Sequence, residues 1–115
     1  MNLRRERTTD VMDKTEDIIP IAKKYLELVK AANFPMQIET AYLFGSFAKG
    51  CPHKDSDIDI AFVVHEWTGG YEDTVVPIWR LRKEVDIRIE PHIVDPDYDP
   101  AYFLPEIKRT GIELV

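Results

Sequence analysis

From Thr15 to Ala32 the apolar residues Ile18, Ile19, Ala22, Tyr25, Leu26 and Val29 recur at steps of three and four. That period puts them on one face of an amphipathic helix. Pro20 has no amide N–H, so the regular part of the helix is expected to begin close to it. "NFP" at 33–35 ends the segment. Two apolar runs then predict strands, "QIETAYLF" over 37–44 and "DIDIAFVV" over 57–64, joined by "GSFAKGCPHKDS" as a turn holding one helical turn. "HEWTGGYED" is loop-like, broken by Gly69-Gly70, and a less regular helix follows over about 73–83 with Val76, Trp79, Leu81 and an irregular Pro77.

"EVDIRIE" over 84–90 alternates strictly and predicts a third strand. "PHIVDPDYDP" reads as a loop by its Asp and Pro residues, with brief pairing open to His92-Ile93-Val94. "AYFLPEIKRTG" holds a short helix stopped by Gly111, and "IELV" reads as a last edge strand. Residues 1–14 are polar without a period and are expected to form a loose arm. The predicted fold class is α/β (α+β): a mixed β-sheet of about four strands with helices packed mainly on one face.

A chain of 115 residues suits one domain, taken as 1–115. Its apolar fraction of 44% and charged fraction of 31% are those of a soluble globular protein. Cys51 is the single cysteine, which excludes an internal disulfide and suits a reducing compartment. The start "MNLRRERTTD" has no apolar run behind it, and no run is long enough to cross a bilayer. A cytoplasmic protein without membrane contact is the expectation. The formal net charge of -6 argues against gripping nucleic acid by its phosphates, so nucleic acid is not the expected direct ligand. It does not argue against holding a nucleotide through metal ions.

The chemistry concentrates between the first two strands. Strand alternation puts Asp57 and Asp59 on one face and Ile58 and Ile60 on the other. Two carboxylates at that spacing suit shared Mg²⁺ ions, which take oxygen ligands and keep positions for phosphate. Gly45-Ser46 ends the preceding strand: glycine lets the backbone approach a bound group, and serine with a following helical turn offers a hydroxyl and N–H groups to phosphate. Taken alone, each feature has an ordinary reading, a wet strand face or a capped turn. Together, at one spacing, they should arise by chance in roughly one chain of this length in a thousand.

These residues, "LFGSFAKG" with "SDIDIAFVV", resemble the minimal nucleotidyltransferases of the DNA polymerase β-like superfamily, of the MntA-like antitoxin type. The matching pattern is Phe44, Gly45, Ser46, ten residues, Asp57, Ile58, Asp59. The resemblance implies the nucleotidyltransferase fold and transfer of a nucleoside monophosphate, usually AMP from ATP, to a hydroxyl acceptor. It implies two Mg²⁺ ions held by Asp57 and Asp59, with a third carboxylate from a neighbouring strand that also helps deprotonate the acceptor. Asp86, in an apolar–Asp–apolar setting, is the expected third; Glu90 shares its face of the expected strand and is the alternative. Gly45 and Ser46 would hold the triphosphate, with Lys49 as a further nucleotide contact where small members often carry an arginine. Arg88 shares the same face and would pair with a carboxylate or meet a phosphate.

By the same resemblance the partner is a helical protein of the HEPN type in a toxin–antitoxin pair, with one of its tyrosines as acceptor. The competing reading keeps the fold as a non-catalytic nucleotide-binding or protein-interaction module. Among the other residues, His53, His65 and His92 lack zinc-ligand spacing. Trp67 and Tyr71 border a loop placed to reach the base, and Trp79 reads as core.

Overall fold

The computed structural model describes residues 13–114. Helix α1 spans Thr15–Ala31 and buries Ile18, Ala22, Tyr25, Leu26 and Val29, the stripe expected from the period of three and four. It starts before Pro20, not at it. Pro20 lies on the exposed face, so water can satisfy the single carbonyl, that of Glu16, which loses its helical donor. At the other side of the N-terminus, the Lys14 N–H donates to the Asp17 carboxylate over 3.0 Å, one half of a capping box. Of the expected arm, residues 1–12 lie outside the described residues, while Asp13 is held at 3.0 Å by Arg88.

Strands β1 (Gln37–Phe44), β2 (Ile58–His65), β3 (Ile89–Val94) and β4 (Ile112–Glu113) form one sheet in the order β3-β2-β1-β4. The β1–β2 and β1–β4 pairs are antiparallel and β2–β3 is parallel, so the sheet is mixed as predicted. A π-helical turn at Tyr71–Val75 leads into helix α2 (Val76–Leu81) and a 3₁₀ turn at Arg82–Glu84. The Val76 N–H reaches back to the Tyr71 carbonyl just ahead of Pro77, which has no N–H to give. The irregularity read from Pro77 is thus a real change of helical register. Helix α3 (Phe103–Thr110) begins where the Asp99 carboxylate accepts from the N–H groups of Phe103 and Leu104, at 3.0 and 2.7 Å.

Alternation along β2 divides the core. Ile58, Ile60, Phe62 and Val64 face α1 and α2 in the larger cluster. Ala61 and Val63 face the other way, where Leu104 and Ile107 of α3 cover them together with Val94. Two of the three helices therefore share one face. The Tyr25 hydroxyl, fully buried, donates to the Ile78 carbonyl and ties α1 to α2; burial pushes the pKa of this phenol well up.

The third strand departs from its predicted span. It runs over Ile89–Val94, not 84–90, and Asp86 precedes it in a turn. The Asp86 carboxylate accepts from the Arg88 N–H at 2.9 Å and from its guanidinium at 3.0 and 2.8 Å, closing the chain on itself. Arg82 reinforces that turn by donating to the carbonyls of Ile87 and Ile89, at 3.0 and 3.1 Å. Pro91 does not stop the strand. The Arg88 carbonyl faces β2, accepting from the Ile58 N–H at 2.9 Å, so alternation turns Pro91 to the open edge, where no ladder donor is needed.

Candidate active site

The site forms where β1 ends and β2 and β3 begin. Phe44 stands opposite Asp59 across the antiparallel pair, and Asp59 stands beside Glu90 across the parallel pair. All three share the α3 face of the sheet, at the end where Phe103, the first residue of α3, packs on Phe44. Asp57 lies just before β2 and is exposed, whereas Asp59 is only 22% exposed. Glu90 lies close enough to Asp57 and Asp59 to feel the charge of both. Burial first, then Asp57 and Asp59, push its pKa up, and nearby His92 works the other way. A crowd of carboxylates that cannot comfortably hold all its negative charge is a natural seat for a divalent cation. Asp59 and Glu90, hard-oxygen donors side by side on adjacent strands, fit such an ion, with Asp57 close to Glu90.

Gly45 makes the close approach possible. Its φ is +80°, and a Cβ there would collide with Oδ2 of Asp59. The turn after it is held by Lys49 N–H to Gly45 O at 3.1 Å and Cys51 N–H to Ser46 O at 3.1 Å. Ser46 Oγ donates to Ser56 Oγ at 2.9 Å, and Ser56 also accepts from the His53 N–H at 2.8 Å. Buried Ser56, the residue before Asp57, therefore ties the Gly-Ser turn directly to the start of β2. The N–H groups of Ser46, Phe47 and Ala48 donate to no protein acceptor among the described residues, which leaves them for an anion. Lys49 is exposed in the same turn.

A family model described as "Polymerase beta, Nucleotidyltransferase" matches residues 16–115. The chain belongs to this nucleotidyltransferase family. Solved structures share the fold. A mutant MntA–HpeT toxin–antitoxin complex matches with a TM-score of 0.59 at 22% identity, covering 82% of this chain and 72% of that one. A toxin–antitoxin complex with AMP-PNP matches with a TM-score of 0.59 at 23% identity, covering 81% and 72%. A protein from Sulfolobus solfataricus, provisionally assigned as a nucleotidyltransferase, matches with a TM-score of 0.55 at 26% identity, covering 86% and 78%. No curated protein matches.

As a nucleotidyltransferase, the chain brings four of its sequence-predicted site residues together: Gly45, Ser46, Asp57 and Asp59. Asp86 stands apart from them in its ion pair with Arg88, which holds its carboxyl below the usual carboxylate range. The guanidinium of Arg88 is also shared with Asp13. Glu90, the alternative to the expected Asp86, takes the position beside Asp59. His92 lacks zinc-ligand spacing in the sequence, yet its Nε2 lies 3.6 Å from Asp59 Oδ1. Its only sequence signal was the i, i+2 parity with Glu90. Trp67 packs against the larger core cluster, on the sheet face away from the carboxylates, and does not reach the site. Trp79 is half-buried and carries the Arg82 guanidinium 4.7 Å from its ring, in place of the expected core position. Among the described residues no helix is long and apolar enough to cross a membrane.

Proposed function

We propose that this nucleotidyltransferase moves AMP from ATP to a hydroxyl of a partner protein, a tyrosine of a helical HEPN-type toxin. The observation carrying this reading is the gathering of Asp57, Asp59 and Glu90 beside the Gly45-Ser46 turn. The fold it shares with toxin–antitoxin proteins, one of them with AMP-PNP, supports the partner and the nucleotide. The protein acts in the cytoplasm, and the 16–115 match supports one domain.

Asp57, Asp59 and Glu90 would hold two divalent ions, Mg²⁺ in the simplest case. Such ions would neutralise phosphate charge and make the acceptor hydroxyl more acidic. Ser46, the free N–H groups of 46–48 and Lys49 hold the triphosphate, and the Gly45 backbone lets it come close. The acceptor oxygen attacks the α-phosphorus in line. A new O–P bond forms as the bond to the pyrophosphate oxygen breaks, and the acceptor proton passes to Glu90. Most of the acceleration comes from positioning and charge neutralisation.

The experiment supplies the partner, Mg²⁺ and α-labelled ATP, and follows label on the partner by mass. Asp59→Asn and Glu90→Gln should abolish transfer, and chelation should do the same. Label transfer unchanged by Asp59→Asn would overturn the reading. So would ATP binding without pyrophosphate release in the presence of the partner, which would make the chain a binding module.

A further inference from the structure

The imidazole of His92 occupies an unusual setting. Its ring packs edge-on against Phe44, with centroids 5.1 Å apart, and lies 6.1 Å from Phe103, which itself meets Phe44 at 5.4 Å. This aromatic wall fixes the ring's direction. Nε2 is buried and has no hydrogen-bond partner. An unpaired buried polar atom carries a desolvation cost and calls for a partner.

The nearest candidate is Asp59 Oδ1, at 3.6 Å. That is too long for a hydrogen bond. It is close to the spacing of two ligands on one ion: with bonds of about 2.1 Å, adjacent ligands stand roughly 3.0–3.5 Å apart. One ligand atom from each of Asp59, Glu90 and His92 lies within 4.8 Å of the others. The same parallel register that sets Glu90 beside Asp59 sets His92 beside Ala61, whose small side chain leaves the imidazole room to turn toward Asp59.

We propose that His92 is a nitrogen ligand to the divalent ion held by Asp59 and Glu90, so that this site favours first-row transition ions over Mg²⁺. The inference rests on the carboxylates of the proposed site holding a cation. Imidazole is a better donor to transition ions than to Mg²⁺, which prefers oxygen and retains its waters. With Nε2 on the ion, Nδ1 carries the ring proton on the half-exposed side of the residue.

The test uses Mn²⁺ as a paramagnetic probe of the intact chain, with and without a non-hydrolysable ATP analogue. Pulsed electron paramagnetic resonance should show coupling of Mn²⁺ to a directly bound imidazole nitrogen. That coupling should change its pattern when histidine is supplied as the ¹⁵N form, which needs no variant. His92→Phe keeps the aromatic packing, should abolish the coupling, and should lower Mn²⁺ affinity at least about tenfold. Mg²⁺ affinity should move by less than about twofold. Bound Mn²⁺ without histidine nitrogen coupling overturns this inference and leaves the carboxylate site standing; His92 would then only orient Asp59. Coupling that survives in His92→Phe also overturns it. Failure of Mn²⁺ to bind at all overturns both this inference and the proposed metal site.

Discussion

Gly45→Ala tests whether the approach of the turn to Asp59 matters to function, and Gly50→Ala supplies the control within the same loop. Both glycines have positive φ, +80° and +76°. Putting an L-residue there costs roughly 1–2 kcal/mol. With an unfolding entropy of roughly 2.1 cal/mol/K per residue over the 115 residues, each kcal/mol is about 4 °C in Tm. Strain alone therefore predicts a loss of about 4–8 °C for either variant. The two differ in what the new methyl group meets. At Gly50 it meets nothing within 4 Å, whereas at Gly45 it runs into the Asp59 carboxylate. Gly45→Ala must push that carboxylate aside, and a misplacement near 1 Å costs on the order of 100-fold in rate. The assay is thermal unfolding together with AMP transfer to the partner. Similar Tm losses with transfer collapsing only in Gly45→Ala are expected. Equal transfer rates in the two variants would refute the reasoning.

Three further outcomes follow from the site and its supports. Glu90 has its pKa raised, so the metal-free protein holds that proton more tightly when folded, and this contribution is lost as pH rises through the folded value. Glu90→Gln should therefore raise the Tm of the metal-free protein at neutral pH while abolishing transfer, checked by calorimetry in chelator. Asp86 has its pKa lowered, chiefly by the hydrogen bonds from Arg88. Its contribution is present above the ordinary value of 3.8 and lost as pH falls through the depressed one. Asp86→Asn should cost about 1 kcal/mol at neutral pH, flatten the Tm profile below that value, and leave measurable transfer. Tyr25→Phe orphans the Ile78 carbonyl and should cost on the order of 1–2 kcal/mol in urea unfolding with transfer unchanged.

Much of the architecture was legible because period and burial agreed. The stripe Ile18, Ala22, Tyr25, Leu26, Val29 on α1 and the alternation of Ile58, Ile60, Phe62, Val64 on β2 are local patterns that tertiary packing had no reason to override. Pro20 misled because its cost depends on the face it occupies, and exposure leaves only one carbonyl for water to satisfy. Helix α3 was visible as an element, but its place over Ala61 and Val63 was not.

The third carboxylate shows where pattern reading ends. Glu84, Asp86, Arg88 and Glu90 alternate, and parity assigns all four to one face of any strand that contains them. Parity says nothing about where the strand begins. That point is set by side chains: Asp86 folds back on Arg88, and Arg82 takes the carbonyls of Ile87 and Ile89. These contacts use up the segment before Ile89 and deliver Glu90 as the first acidic residue in register with Asp59. The apolar–Asp–apolar setting of Asp86 thus does not show where it sits: it precedes the strand, with its carboxylate held by Arg88 two residues on. Loosening that claim by Arg88→Met should leave Asp86 free without moving the register, which the Ile58 N–H to Arg88 C=O bond fixes through the backbone. If Asp86 then rescued Glu90→Gln, the case for Glu90 as the third carboxylate would fail; continued inactivity of the double variant is the expected result.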